Sequence, residues 1–427
     1  MINWQQRKWQ VAFLTALPTL LILTGLFLQP LNDLLPGMLR ILQSQSVLLS
    51  DYLAIGGAGA TLINAGLCGF ICIGFMMLYK IEINGPFIAA VFTVIGFAFF
   101  GKNIWNIWPI FIGVFLYSAV RHQSFRNYAL VAFFATTLGP LVSFISFGAG
   151  LEPRAGIALG MTLGVLVGFI APPLASAMLR FHDGYNIYNL GFTGGVIGSL
   201  FVAVLRSFGL IVEPVSILTG RYDLIMKVLF FTFFLVLIGG GLFVQPNRIR
   251  KTLAAHIRIM RTSGRLVTDF TLVGRYNATL LNMGVMGIIA GLFVIALGGE
   301  FNGPVIGGIL TIVGFAAFGK HPRNCIPVML GVVIGGALKM WDLGSTPVIL
   351  AGLFGTTLAP VAGKYGPFWG VVAGFLHTSV VMNVGVLHGG VNLYNNGFSG
   401  GFVAAFLVPI IEAVSPVAGA PRSRRKV

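Results

Sequence analysis

Ten or more apolar stretches of roughly 17–25 residues follow one another along this chain with short polar breaks, and each is long enough to cross about 30 Å of hydrocarbon. That succession leaves few folds open. Of 427 residues, 56% are apolar and 9% charged, against about 25% charged in an average soluble domain. A β-barrel needs period-two alternation in segments of about ten residues. Stretches such as Val228–Val244 and Tyr128–Ser146 are apolar on nearly all sides, the pattern of a lipid-embedded helix. The 58 glycines suit close packing of membrane helices through small side chains. The chain therefore reads as an all-α polytopic helical membrane protein, with the lipid bilayer as its first partner.

The net charge of +16 does not point to nucleic acid, because the basic residues lie mostly in loops beside apolar segments, where they set orientation. Cys68, Cys72 and Cys325 supply neither a disulfide framework nor the four ligands of a structural zinc site. No cofactor or metal is expected. Arg7 and Lys8 followed by Trp9–Leu28 resemble a signal sequence but lack a small-residue cleavage site, so this stretch reads as the first span.

The chain also supplies its own alignment. Residues 51–113 match residues 269–331 without a gap, and 25 of the 63 positions are identical. Glu82-Ile-Asn84-Gly85-Pro86 and Gly101-Lys102 return as Glu300-Phe-Asn302-Gly303-Pro304 and Gly319-Lys320. Thr136-Thr137-Leu138-Gly-Pro140 returns as Thr356-Thr357-Leu358-Ala-Pro360. His182, Asn186, Tyr188, Asn189, Gly191, Phe192, Gly194 and Gly195 return as His388, Asn392, Tyr394, Asn395, Gly397, Phe398, Gly400 and Gly401. Even Gln29-Pro30 has a partner in Gln245-Pro246. Two repeats, 1–218 and 219–427, are expected, each with seven apolar segments. In the first these run 10–29, 54–79, 86–101, 104–120, 128–147, 155–179 and 190–208. In the second they run 223–244, 272–297, 304–318, 325–340, 346–363, 367–387 and 396–415. The third and fourth segments of each are short and either span or form a re-entrant hairpin. Both options leave an odd number of crossings.

An odd number inverts the second repeat relative to the first, and loop charge agrees. Residues 31–50 carry one basic residue, Arg40, whereas the equivalent loop carries Arg248, Arg250, Lys251, Arg258, Arg261 and Arg265. Basic short loops stay cytoplasmic. Arg121 and Arg126 oppose Lys339 and Asp342 in the same way, and Arg422, Arg424, Arg425 and Lys426 close the chain. The expectation is a plasma (inner) membrane protein with both termini in the cytoplasm.

Inverted-topology repeats are typical of transporters and some channels, with a shared site near the midplane. No catalytic constellation and no nucleotide-binding loop ending in Gly-Lys-Ser/Thr is present, so no enzymatic activity is expected. Within this reading Asn84 and Asn302 cap helices whose free N–H groups can receive an oxygen, or simply make well-formed turns. Asn189, Asn395, Tyr188 and Tyr394 offer neutral hydrogen-bonding groups to a small polar solute, or bond helix to helix. Asn64 and Asn282 lie within apolar segments and would line a cavity beside them. Glu82 and Glu300 are the candidates for coupling to protons or sodium. Lys102 and Lys320 read as snorkelling to an interface rather than contacting a solute, and His182 and His388 either carry protons or are solvated segment ends. All the asparagines are expected to approach one central cavity.

The paired Asn-Gly-Pro and Tyr-Asn-x-Gly-Phe-x-Gly-Gly blocks resemble a bacterial membrane family, domain of unknown function 1576, whose members carry the domain twice. Phe301-Asn302-Gly303 is similar to the aromatic-Asn-Gly element of urea transporters, which implies inverted repeats around a narrow pore for a small neutral solute. Ile83 replaces the aromatic in the first copy, and Pro86 and Pro304 depart from that element. Three functions stay open: a channel-like facilitator, a proton- or sodium-coupled transporter of a metabolite or anion, and a non-transport role as membrane enzyme or assembly factor. Homo-oligomer formation is left open too.

Overall fold

Inside a bilayer the backbone has no water to bond, so each apolar stretch is driven into helix. The computed structural model describes residues 4–213, 215–244 and 246–414. Gln245 and the basic run from Arg422 to Lys426 lie outside them. The first half holds α1 (Trp4–Leu28), α2 (Leu31–Gln43), α3 (Ala58–Leu78), α4 (Gly85–Phe97), α5 (Trp108–Val120), α6 (Ala129–Gly148), α7 (Pro153–Phe181) and α8 (Asn189–Ser207). The second holds α9 (Asp223–Phe243), α10 (Ile249–Ile259), α11 (Arg275–Ala296), α12 (Gly303–Phe315), α13 (Pro322–Ala337), α14 (Thr346–Tyr365), α15 (Pro367–His388) and α16 (Asn395–Val414). Thus α1 corresponds to α9, and so on to α8 and α16.

Ten of these helices are long and apolar enough to cross a membrane. The chain is an all-α, multi-pass membrane protein. The helices α2 and α10 were expected only as loops. In α2 the residues Leu34, Gly37 and Ile41 are buried while Leu31, Leu35 and Leu39 are exposed on another face, as in a helix lying along an interface.

The short helices α4 and α12 form the centre. Thirteen residues each, they reach only about 20 Å at 1.5 Å per residue, and every residue of α12 is buried. They pack against one another antiparallel. A methyl on Gly85 would lie 2.3 Å from the Ala317 carbonyl, and one on Gly303 would lie 2.5 Å from that of Phe99. Between them Gly96 meets Gly307, and Gly314 meets Ala89. Around this pair α3 packs on α1 and α4, α11 on α9 and α12, α5 on α7, α13 on α15, and α8 on α16. The third and fourth segments are not side-by-side hairpins, because α4 packs on α12, α3 and α6 rather than along α5.

Contacts between the halves are reciprocal. Asp269 Oδ1 accepts from Thr271 N at 2.8 Å, capping its own turn, and from Gly85 N at 3.1 Å at the start of α4. Asp51 likewise accepts from Leu53 N at 2.9 Å and from the backbone N–H of Gly303 at the start of α12. Each acid thus caps the central helix of the other half. Removing either carboxylate orphans buried N–H groups at about 1–3 kcal/mol apiece. Asp51→Ala and Asp269→Ala are expected to lower the melting temperature of the purified protein, with Asp→Asn milder at both sites. Unchanged melting of both alanine variants would show that the clamp does not hold the halves together.

Candidate functional site

Each central helix ends in a polar break. After α4 the chain runs irregularly through Gly101, Lys102 and Asn103 to α5, and after α12 through Gly319, Lys320 and His321 to α13. Gly101 (φ +150°) and Gly319 (φ +94°) take backbone angles that a Cβ would oppose. Irregular backbone survives at membrane depth only where protein satisfies it, and here amides do so. Asn64 Nδ2 donates to the Ala98 and Lys102 carbonyls at 2.8 and 2.9 Å, and Asn282 Nδ2 to those of Ala316 and Lys320 at 2.7 and 2.8 Å. Asn106 and Asn324 brace the other side through the Gly101 and Gly319 carbonyls, at 2.8 and 2.9 Å.

Lys102 and Lys320 are fully buried, so neither snorkels. Their backbones turn back onto the ends of α4 and α12, donating to the Phe97 and Phe315 carbonyls at 3.0 Å, which folds the side chains inward. Lys320 Nζ donates to Thr356 Oγ1 at 2.6 Å and to the Tyr188 hydroxyl, and lies 4.4 Å from the Tyr188 ring centre. Lys102 is less well held. Its Nζ has only the Phe133 carbonyl at 3.5 Å and the Phe97 ring at 5.2 Å. Neither meets a carboxylate; the ion pairs among the described residues are Lys227–Asp223 and Lys364–Glu412.

Tyr188 and Tyr394 meet beside Lys320, ring centres 4.8 Å apart. The expected equivalence stops at their hydroxyls: Tyr188 serves Lys320, whereas Tyr394 donates to Thr93 Oγ1 at 3.2 Å. Mid-span turns position both rings. At Thr136–Leu138 and Thr356–Leu358, ahead of Pro140 and Pro360, α6 and α14 tighten into 3-10 geometry. Thr137 Oγ1 then accepts from Tyr394 N at 3.1 Å, and Thr357 Oγ1 from Tyr188 N at 3.0 Å. Asn392 and Asn186 complete each loop, donating to the Gly191 and Gly397 carbonyls at 3.1 and 2.9 Å.

The asparagines singled out from sequence do not converge on one cavity. Asn84 and Asn302 cap α4 and α12, accepting from Phe87 N at 3.2 Å and Val305 N at 3.1 Å. Because those helices run antiparallel, the two caps lie at opposite ends with packed apolar residues between. Asn64 and Asn282 spend their amides on helix ends. Asn189 joins His182 (3.1 Å) to the Ala175 carbonyl (3.0 Å), and Asn395 joins His388 (2.9 Å) to that of Val381 (3.2 Å). Both histidines are buried rather than solvated, held by these amides. Glu82 and Glu300 are exposed at the starts of the central helices.

Of these residues Asn395 alone lines the cavity of about 260 Å³ between the halves, with Leu48, Leu49, Phe100, Leu350, Phe354 and Asn396 among its walls. Phe354, one of its walls, packs against Tyr188 and Tyr394, 6.3 and 6.1 Å between ring centres. Sequence reasoning missed the threonine turns, although Thr-Thr-Leu-x-Pro recurs in both copies. It also missed His377, for which the first copy offers no counterpart.

A family profile described as a protein of unknown function, DUF1576, matches residues 31–207 and 248–413, covering most of the chain once in each half. The chain belongs to the DUF1576 family. The two DUF1576 matches begin at α2 and at the turn before α10, so the family domain is the repeated unit without its first span. No curated protein and no solved structure matches the chain. The urea-transporter likeness therefore stays confined to Phe301-Asn302-Gly303. In this DUF1576 protein that element is a helix start, with Phe301 N donating to Asp223 Oδ1 at 2.7 Å.

Proposed function

We propose that the protein is a transporter that carries a small polar solute between two oppositely oriented repeats, in the plasma membrane and with both termini cytoplasmic. One observation carries the reading: two lysines, one per half, are buried at the helix breaks without an acid. An ionisable group inside a membrane protein is costly and is a functional site by default. A cation held without a counter-ion favours a partner that comes and goes. That partner is a solute bearing negative charge, or a proton exchanged at the amine. Discontinuous helices flanking such a site are the usual construction of secondary transporters. With Glu82 and Glu300 at the surface, coupling falls to the lysines.

Proteoliposomes on a sensor membrane, challenged with a panel of small organic acids, are expected to give saturable transient currents. No response to any acid at either pH 6 or pH 8 would remove the anionic reading. Orientation has its own test. The native cysteines are buried, so single cysteines replacing the exposed residues Gln43 and Arg261 report cleanly. An impermeant maleimide applied to whole cells should label the first and not the second. Labelling of both from outside would end the inverted arrangement.

A further inference from the structure

The cavity between the halves carries a hydrogen-bonding device that the lysine site does not use. Its wall includes Asn396, which is 6% exposed. Asn396 Oδ1 is bonded to His377 Nε2 at 3.0 Å, and His377 Nδ1 to Ser399 Oγ at 2.7 Å. With Nε2 donating to the amide oxygen, Nδ1 of the neutral ring accepts the serine proton. The relay fixes which way the amide faces. The Asn396 Nδ2 donors are left without a partner among the described residues, at the cavity wall and in the first turn of α16. That helix runs 20 residues, and its N-terminus carries partial positive charge. Apart from Asn395, whose amide is taken up by His388 and the Val381 carbonyl, the other walls are mainly apolar, Leu48, Leu350, Phe354 and Met382 among them. The first half keeps a hydroxyl, Thr193 for Ser399, but lacks the amide and the imidazole. It has Leu190 for Asn396, Ala171 for His377 and Leu179 for Gly385, so symmetry does not explain it.

We infer that this cavity binds a small amphipathic molecule, its carboxylate or carbonyl oxygen on Asn396 Nδ2 and a short hydrocarbon body against Phe354 and Leu350. The site stands independently of whether the bound molecule is carried. Its chemistry excludes amines, since the cavity presents donors and no acid.

The test uses the full chain in lipid nanodiscs and calorimetric titration with hexanoate, with hexylamine as the opposite-headed control. Two variants borrow the first half's own residues. Asn396→Leu copies Leu190, and Gly385→Leu copies Leu179 and fills the space. The atoms nearest a methyl at Gly385 are those of Asn395, at 3.7 Å or more, so folding should tolerate the second change. Saturable hexanoate binding is expected, weakened at least about tenfold by Asn396→Leu, as loss of a charge-assisted hydrogen bond implies. Gly385→Leu should abolish it with ligand-free melting close to that of the parent, whereas Asn396→Leu also orphans the buried His377 Nε2 and should melt somewhat lower. Three outcomes would overturn the inference. One is non-saturating heat equal in all three proteins, which is lipid partitioning only. Another is hexylamine binding as well as hexanoate, and the third is binding unchanged in both variants. Currents lost in the transport assay with hexanoate binding intact would refute the transport reading and leave this site standing.

Discussion

Lys102→Met and Lys320→Met are each expected to cut organic-acid currents by at least about hundredfold, equivalent to about 2.7 kcal/mol, while the protein melts no lower than the parent. The two halves of that result come from one cause. Burying an ion without a counter-charge costs several kcal/mol even after relaxation, and an apolar residue of similar volume often replaces it at no loss of stability. Lys102 has only the long contact to the Phe133 carbonyl, so Met there removes the penalty and orphans almost nothing. A rise of a few degrees in melting temperature is expected. At Lys320 the same change leaves the Tyr188 hydroxyl and Thr356 Oγ1 without their donor, which costs about 1–3 kcal/mol for a buried polar group. That largely cancels the gain, and melting should barely move. Arginine is no conservative substitute, since its larger planar head would not enter a fully packed site. If Lys102→Met transports as the parent does, the buried cation has no part in transport. If both methionine variants melt far lower, the lysines are structural glue and the functional reading loses its main support.

Much of the fold was legible because the membrane enforces a simple rule. Apolar stretches long enough to cross must be helical, and the segment from 155 to 179 duly lies within α7 and that from 396 to 415 nearly coincides with α16. The duplication was legible because 25 aligned identities need no structure to be seen. The candidate site was legible only in part. A recurrent asparagine in apolar sequence says that an amide is buried, but not what it bonds. Here Asn64 and Asn282 bond the carbonyls that the broken helices leave open, and Asn84 and Asn302 bond their own first turns, so demand from the backbone consumed what looked available to a solute. The lysines misled for a related reason. Gly-Lys after a helix resembles an interfacial stop, and only the enclosure of α4 and α12 by their neighbours shows that no interface lies within reach. Tyr188 shows the limit of symmetry as a guide. It and Tyr394 stand at equivalent positions, yet only one of them holds a lysine.

Gly113→Val and Gly331→Val are expected to abolish most of the folded yield, each to the same degree. In lipid, helix association rests on close packing rather than on the hydrophobic effect, so small residues at a crossing are what allow it. The crossing of α5 with α7 is made by Gly113 and Gly168, where an added methyl would lie 2.0 Å from the Val165 carbonyl and 2.1 Å from that of Ile110. The crossing of α13 with α15 repeats this at Gly331 and Gly374, with 2.0 Å to the Val371 carbonyl and 2.1 Å to that of Val328. The obstacle is backbone in all four cases, and backbone cannot swing aside as a side chain can. Overpacking of this kind costs about 1–3 kcal/mol or more, and a β-branched residue adds its own bulk. Gly74→Ala and Gly239→Ala are the controls. Both lie in long helices with nothing within 4 Å of the new methyl, so replacing a helical glycine there should be neutral or stabilising by up to about 1 kcal/mol. Size-exclusion profiles and detergent melting curves separate the two sets. The consequence reaches the lysines, because α5 and α13 begin directly after the breaks that hold Lys102 and Lys320, and a helix pushed off its partner drags its break with it. Milder variants, Gly113→Ala and Gly331→Ala, should therefore lose transport before they lose yield. Alanine variants that fold and transport like the Gly74 control would mean that the crossings are looser than the geometry requires.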